Sequence, residues 1–202
     1  MTAAERIREA TYADVDRLVR CLTRAFDDDP LINWLVRQDD KRPHGFEVFF
    51  HTCLATVCLP SGQVLTTDDR TGCLLWFPPG TYDMGLARQV SLLPNIFRVT
   101  SLRGLKRMVS TMDALDKAHP KQEHAYMLFA GVEPECQRQG LGSALTRRAL
   151  EQCDRAGWVA YLESTRATTI PHAERLGFRV TGVIDLGPGA PRLWSMWREP
   201  PA

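Results

Sequence analysis

The stretch that most constrains this 202-residue chain is a strand, a turn and a helix in its second half. Tyr126 to Val132 is an unbroken apolar run, the pattern of a central strand covered on both faces. Glu133-Pro134-Glu135-Cys136 then turns the chain. A helix is predicted from about Arg138 to Ala156, with Leu141, Leu145, Ala149 and Cys153 four residues apart and Gly157 as a C-terminal cap. Strand and helix are joined by Gln137-Arg138-Gln139-Gly140-Leu141-Gly142. The first amides of a helix have no intrahelical acceptor and their dipoles point outward, so a pyrophosphate can take those hydrogen bonds. Gly140 and Gly142 have no side chains to hold phosphates away from the backbone, and Gln137, Arg138 and Gln139 add side-chain donors. By itself a Gly-x-Gly pair serves ordinary helix–strand packing equally well. The spacing is neither Gly-x-Gly-x-x-Gly nor the Gly-Lys-Ser/Thr ending of a P-loop.

The rest of the chain reads as alternating helices and strands. Glu5 to Ala10 suits a short strand, and Thr11 an N-cap for a helix carrying Val15, Leu18, Val19, Leu22 and Phe26 on one face. That helix ends at Asp27-Asp28-Asp29-Pro30, and Leu31 to Val36 adds a short helical turn. Phe46, Phe49, Phe50, Cys53, Leu54 and Val57 mark a second buried helix, stopped by Pro60-Ser61-Gly62. Residues 63–67 and 71–77 form a predicted hairpin around Asp68-Asp69-Arg70. Met84 to Ala118 is expected to be helical, broken near Pro94 and Gly104; its Arg98, Arg103, Lys106 and Arg107 suit either a solvated face or a pocket wall. Downstream, Val159 to Glu163 is a strand, Pro171 to Leu176 a short helix closed by Gly177, and Val183 to Leu186 and Arg192 to Trp197 two final strands. No linker or repeat divides the chain, which is expected to be one domain over residues 1–202.

Gly131-Val132-Glu133-Pro134 followed by Gln137-x-x-Gly140-x-Gly142 resembles the acetyl-CoA signature of the GNAT superfamily of N-acetyltransferases. Leu162-Glu163-Ser164 and Pro171-His172-Ala173-Glu174-Arg175-Leu176-Gly177-Phe178 resemble its next strand and helix, so the likeness covers residues 124–180. Within the superfamily the chain is most similar to puromycin N-acetyltransferase and its bacterial relatives. The resemblance implies an α/β (α+β) fold: a mixed, mostly antiparallel sheet flanked by helices, with two parallel strands, 126–132 and 159–163, splaying apart. It implies acetyl-CoA as acyl donor, its pantetheine arm along Ala130, Gly131 and Val132, and its pyrophosphate against Gln137, Arg138, Gln139, Gly140, Leu141, Gly142 and Ser143, with Thr169 also lining the cofactor site.

The chemistry implied is direct transfer to an amine, with a backbone N–H near Val132 holding the oxyanion. An alkylamine is protonated at neutral pH, with a pKa of about 10, so a base is needed. Glu163, at the end of the second splayed strand, is the first candidate; a structural partner for a nearby arginine or backbone group is its alternative. Glu133 and His124 are weaker candidates. Relatives carry a tyrosine immediately before Glu-Arg-Leu-Gly-Phe that protonates the leaving thiolate, whereas this chain has Ala173. His172 precedes it, about 100° around the helix, and suits an acid or a structural histidine equally. Tyr126, Tyr161 and Cys136 are further donors. A thiol with a pKa of about 8.5 leaves at modest cost, so the departure slows transfer without forbidding it.

The acceptor implied is the primary amine of a small molecule, an antibiotic or metabolite. Asp27-Asp28-Asp29 would draw a cationic acceptor or simply end a helix, and Trp34, Phe46, Phe49 and Trp76 would line a pocket or fill the core. A non-catalytic acyl-CoA sensor and a protein or peptide amine acetyltransferase are the alternatives. A net charge of +1 argues against a nucleic-acid partner. Six scattered cysteines without a Cys-x-x-Cys pair argue against a metal site or disulfide frame. With no signal-like N-terminus and no run near the ~20 apolar residues of a membrane span, a cytoplasmic protein without a membrane partner is expected. A homodimer is compatible with all of this.

Overall fold

The computed structural model describes residues 7–82 and 95–201. Seven strands form one sheet: β1 (Ile7–Glu9), β2 (Gln63–Thr67), β3 (Gly72–Phe77), β4 (Ala125–Val132), β5 (Ala160–Ser164), β6 (Arg179–Ile184) and β7 (Leu193–Arg198). Their order is β1-β2-β3-β4-β5-β7-β6, and only β4 and β5 pair in parallel. Helices α1 (Val15–Ala25), α2 (Pro30–Leu35), α3 (Arg42–His51), α4 (Leu102–Ala118), α5 (Leu141–Ala156) and α6 (Ile170–Glu174) flank it.

Two cores hold the layers together. On one face Leu18 and Leu22 of α1 and Phe46 and Phe50 of α3 pack with Leu75, Phe77 and Tyr126. On the other, Leu145, Ala149 and Cys153 of α5 meet Leu74, Trp76 and Met127. A smaller cluster sets Leu31 and Leu35 of α2 against Ile184, Leu186 and Leu193. Among the described residues no helix is long and apolar enough to cross a membrane.

Local signals explain most boundaries. Thr11 caps a 3-10 turn, Tyr12–Asp14, ahead of α1: its amide donates to the Asp14 carboxylate at 2.9 Å. Buried Asp14 also accepts from Arg8 at 2.9 and 2.8 Å and from Arg70 at 2.6 Å, joining β1 to the β2–β3 turn. The Arg8 contact, reinforced by Thr11 and Arg70 against the effect of burial, holds its carboxyl well below the usual range. Asp29 caps α2 by accepting from the Leu31 and Ile32 amides at 3.0 Å, with Pro30 at the first helical position. Gly157, at φ 69°, ends α5 as predicted.

Several expectations are corrected. The second helix starts at Arg42, earlier than the phenylalanines suggested, and continues beyond His51 as a π-helical stretch, Thr52–Cys58. Gly104 does not break α4: it lies in the first turn, where its amide donates to Ser101 Oγ at 3.2 Å, so the boundary is the Ser101 cap. Residues 84–94 of the expected 84–118 helical stretch lie outside the described residues, as do Glu5 and Arg6 of the expected first strand. Strand β6 occupies Arg179–Ile184 rather than 183–186, with a register shift between Val180 and Gly182 against β7. An irregular edge strand lacks clean alternation, which is why its pattern misled. Helix α5 begins at Leu141, because Arg138 and Gly140 have left-handed backbones, φ 59° and 82°. Finally, β4 is buried at Ala125–Met127 but opens beyond, and Ala130 is exposed.

That opening follows from the pairing. Strand β4 runs beside β3 as far as Val132, but its register with β5 stops at Met127↔Leu162. The β3 register shifts between Leu75, opposite Phe129, and Trp76, opposite Met127, so Leu128 is an extra residue on β4. Helix α1 reaches β4 closely because residue 131 is glycine: a Cβ there would lie 2.8 Å from Leu22 Cδ2 and 3.3 Å from Phe26 Cε2. Gly131→Ala should therefore overpack this contact and cost roughly 1–3 kcal/mol. A lower urea midpoint at unchanged m-value would show it; a wild-type midpoint would mean that α1 yields freely.

Candidate active site

The fork between β4 and β5 gathers the chemically active side chains. At its closed end Glu163, the first β5 residue beyond the last β4 pairing, accepts a 2.6 Å hydrogen bond from the Tyr126 hydroxyl. Burial raises the Glu163 pKa above the ordinary value, with the Tyr126 and Tyr161 hydroxyls pulling the other way. Aromatic rings surround its partner Tyr126: Tyr82 lies 5.0 Å and His119 4.9 Å from it, and His119 lies 5.5 Å from Tyr161. Burial, then His124, pulls the His119 pKa down to about 4, so it is neutral at pH 7. Sequence reading missed Tyr82 and His119; they flank the poorly patterned 84–118 stretch, and no motif ties them to Glu163.

The weaker base candidates are accounted for. Glu133 forms a 2.9 Å ion pair with Arg24, which also binds Glu135. His124 precedes the first residue of β4, away from the open end of the fork, and its Nδ1 lies 2.7 Å from the Gln122 carbonyl. A carbonyl only accepts, so that nitrogen carries the proton. Cys136 lies in the 3-10 turn after β4. Trp76 and Phe46 are core residues, and half-buried Phe49 stacks edge-on with Phe50 and Phe129. Trp34 donates to Thr111 Oγ1 at 3.2 Å beneath the Arg107 guanidinium. The acidic run is consumed structurally: Asp27 pairs with Arg42 at 2.8 Å, Asp28 with Arg166 at 2.6 Å, and Asp29 accepts from Thr165 besides capping α2. These contacts strap the loop after β5 to the loop before α2.

At the open end of the fork β4 leads into the turn before α5. Ala130, Gly131 and Val132 pair with Leu74, Cys73 and Gly72, leaving their other edge without a strand partner. Gln137 Nε2 donates to the Val132 carbonyl at 3.1 Å and Gln139 Nε2 to the Glu135 carbonyl at 3.2 Å, so both side chains brace the turn. Arg138 is exposed. A Cβ on Gly140 would meet nothing within 4 Å, and one on Gly142 only Val132 Cγ2 at 3.7 Å. The space over the helix start is open, with Leu141, Gly142 and Ser143 as the first helical residues. Thr169 donates to the Arg166 carbonyl at 2.8 Å and lies against Ser164 Oγ. His172, exposed on α6, sets Nε2 2.9 Å from Ser143 Oγ and Nδ1 3.3 Å from Arg175 Nη2. Ala173 is buried in the core cluster beneath α5. The fork's unpaired strand edge and the open helix start thus fit an extended chain ending in phosphates. Among the described residues no group of His, Cys, Asp and Glu is arranged to hold a metal ion.

Because burial raises the Glu163 pKa, the native state favours its protonated form. The cost of ionising it is absent below the unfolded carboxylate pKa, about 4.3, and is fully felt once pH rises past the folded value. Glu163→Gln should therefore be more stable than wild type at pH 7, with the gap closing as pH falls to about 4. Thermal unfolding at both pH values tests this; a variant less stable at pH 7 would show that the carboxylate is a net structural asset.

The fold and the signature both match known proteins. Residues 105–178 match the acetyltransferase (GNAT) family. A structure of a histone acetyltransferase and related acetyltransferase from Corynebacterium glutamicum aligns over 98% of this chain and 96% of its own, with 24% identity and a TM-score of 0.73. Polyamine N-acetyltransferase of Drosophila melanogaster, which forms N-acetylagmatine, aligns over 96% and 98%, with 12% identity and a TM-score of 0.66. Arylalkylamine N-acetyltransferase 2 of Aedes aegypti aligns over 96% and 98%, with 16% identity and a TM-score of 0.62. The chain thus has the fold of these acetyltransferases along its length, and its residues 105–178 match the GNAT family.

Proposed function

We propose that this protein transfers an acetyl group from acetyl-CoA to the primary amine of a small molecule, with Glu163 as the base. The observation that carries the proposal is the half-buried Glu163 carboxylate at the closed end of the fork, held by Tyr126 at 2.6 Å. Bound along the fork, acetyl-CoA supplies an activated thioester. The unpaired edge of Ala130, Gly131 and Val132 offers backbone partners to its pantetheine arm, and a β4 amide near Val132 stabilises the oxyanion. The start of α5, from Gly140 to Ser143, holds the pyrophosphate, with Arg138 nearby.

Glu163 takes the ammonium proton, directly or through one water, and the neutral amine attacks. A raised pKa suits this, because a base works best when its pKa lies near the operating pH. The Tyr126 phenol stays protonated, its own pKa pushed well up by burial and by Glu163, so it orients the carboxylate throughout the cycle. A small-molecule acceptor is favoured by the fork's confined, aromatic surroundings and by the amine substrates named for the structural relatives. The likeness to the puromycin enzyme points to antibiotic-like or metabolite amines.

A screen of amines for CoA release, run beside a panel of peptide N-termini and lysine peptides, tests the acceptor class; turnover confined to peptides would overturn it. On a good acceptor Glu163→Gln should lower kcat about 10²–10⁴-fold while leaving acetyl-CoA affinity near wild type. Tyr126→Phe removes a bond that favours the ionised carboxylate, so the acid limb of the pH–rate profile should move to higher pH. An unmoved limb would take Glu163 out of the proton path. Gly140→Asp sets a negative side chain at the helix start and should weaken acetyl-CoA binding at least tenfold by calorimetry; unchanged affinity would remove the pyrophosphate from this site.

A further inference from the structure

We infer that His172 is a positioning residue of the cofactor's phosphate subsite, which aims the Ser143 hydroxyl at a phosphate, and is not the acid for the leaving thiolate. The inference rests on the proposed placement of the pyrophosphate at the start of α5. It comes from counting protons. An arginine guanidinium has only donors, so His172 Nδ1, 3.3 Å from Arg175 Nη2, must accept and carries no proton. A neutral imidazole bare at Nδ1 is protonated at Nε2. Nε2–H therefore donates to Ser143 Oγ across 2.9 Å. With that lone pair occupied, the Ser143 hydroxyl keeps its own proton for another acceptor.

Ser143 is the third residue of α5, in the first turn, where the amides lack intrahelical partners. A hydroxyl donor added there reinforces the pull of the helix start on an anion. Protonating His172 would turn Nδ1 into a donor facing the Arg175 guanidinium, and desolvation, Arg175 and Arg147 all lower its pKa. Several arginines among the described residues, such as Arg8, Arg24, Arg42, Arg166 and Arg198, are matched with carboxylates. Arg147 and Arg175 form no ion pair among the described residues, so the side chains around Ser143 leave positive charge uncompensated. A polyanionic ligand completes such a surface.

The test has three parts. In the free protein, long-range ¹⁵N–¹H NMR should show His172 neutral and protonated at Nε2 at pH 7; an imidazolium or an Nδ1–H tautomer would overturn the inference. In calorimetry His172→Ala and Ser143→Ala should each weaken acetyl-CoA binding about tenfold, the double variant little more, and His172→Gln should recover most of the loss. A Gln amide can donate to Ser143 but cannot act as an acid. In kinetics with S-acetylpantetheine, which lacks the phosphates, His172→Ala should turn over like wild type. A rate loss with that donor that Gln does not recover would make His172 the acid. If Gly140→Asp weakens acetyl-CoA binding and His172→Ala does not, the positioning role fails alone; if neither does, the pyrophosphate assignment fails with it.

Discussion

Everything in the candidate site depends on where β4 loses β5. The two parallel strands pair only from Ala125↔Ala160 to Met127↔Leu162, after which β4 keeps β3 and β5 keeps β7. An unpaired strand edge inside a protein is costly unless something satisfies its amides and carbonyls. On the proposed function the pantetheine arm of acetyl-CoA would satisfy this edge, and the fold supports it from both sides. The extra residue at Leu128 brings Phe129 into contact with Phe26, Phe49 and Phe50 on the α1–α3 face. Gly131 lets α1 lie against the strand behind it. The strand is therefore held firmly while one edge stays open.

The fork also sets the electrostatics of the carboxylate within it. Glu163 is the residue after the last parallel pair, so it is hydrogen-bonded into β5–β7, opposite Ser195, while its side chain faces the Tyr126 hydroxyl. Acidic groups of the neighbouring loops are paired: Asp27, Asp28 and Glu133 each meet an arginine, and Asp29 caps α2. The acidic run, read as either a draw for a cationic acceptor or a helix end, is thus tied up in structural pairs, and the half-buried Glu163 carboxylate sits against Tyr126, whose own shell is the rings of Tyr82, His119 and Tyr161. Such a shell strengthens any charge interaction made inside it.

How much of this was legible in the sequence follows the range of the interactions. The strand–turn–helix unit and its glycines announce themselves, because a local backbone requirement shows in adjacent residues: Gly140 at φ 82° and Gly157 at φ 69° were readable as punctuation. The position of Glu163 at a strand end was equally readable. The π-helical extension of α3 was not, since one widened turn leaves the apolar pattern nearly intact. Nor was the company of Tyr126, which holds Glu163: Tyr82 and His119 reach it from far along the chain. The opposite error lies in β4, where a continuous apolar run suggested a strand covered on both faces, yet Ala130 is exposed. Periodicity reports which residues tolerate burial, and a ligand channel lined with small apolar residues produces the same pattern as a core.

The alanine at position 173 has a packing explanation that bears on catalysis. Its side chain is only 8% exposed and belongs to the cluster beneath α5 with Leu145, Ala149 and Phe178. Its carbonyl also takes the Leu176 and Phe178 amides, at 2.9 and 3.2 Å, which close α6. A tyrosine here would have to drive its ring into that cluster or rotate the helix, and overpacking of this kind costs roughly 1–3 kcal/mol. Position 173 is thus committed to the core, and its neighbour His172 to Ser143 and Arg175. On the inferred role of His172, neither position supplies the acid for a thiolate leaving in the fork. A thiol with a pKa near about 8.5 departs without help far more easily than an alcohol would. In the proposed reaction the demanding proton is the one on the amine, and the half-buried Glu163 carboxylate at the fork is the group proposed to take it.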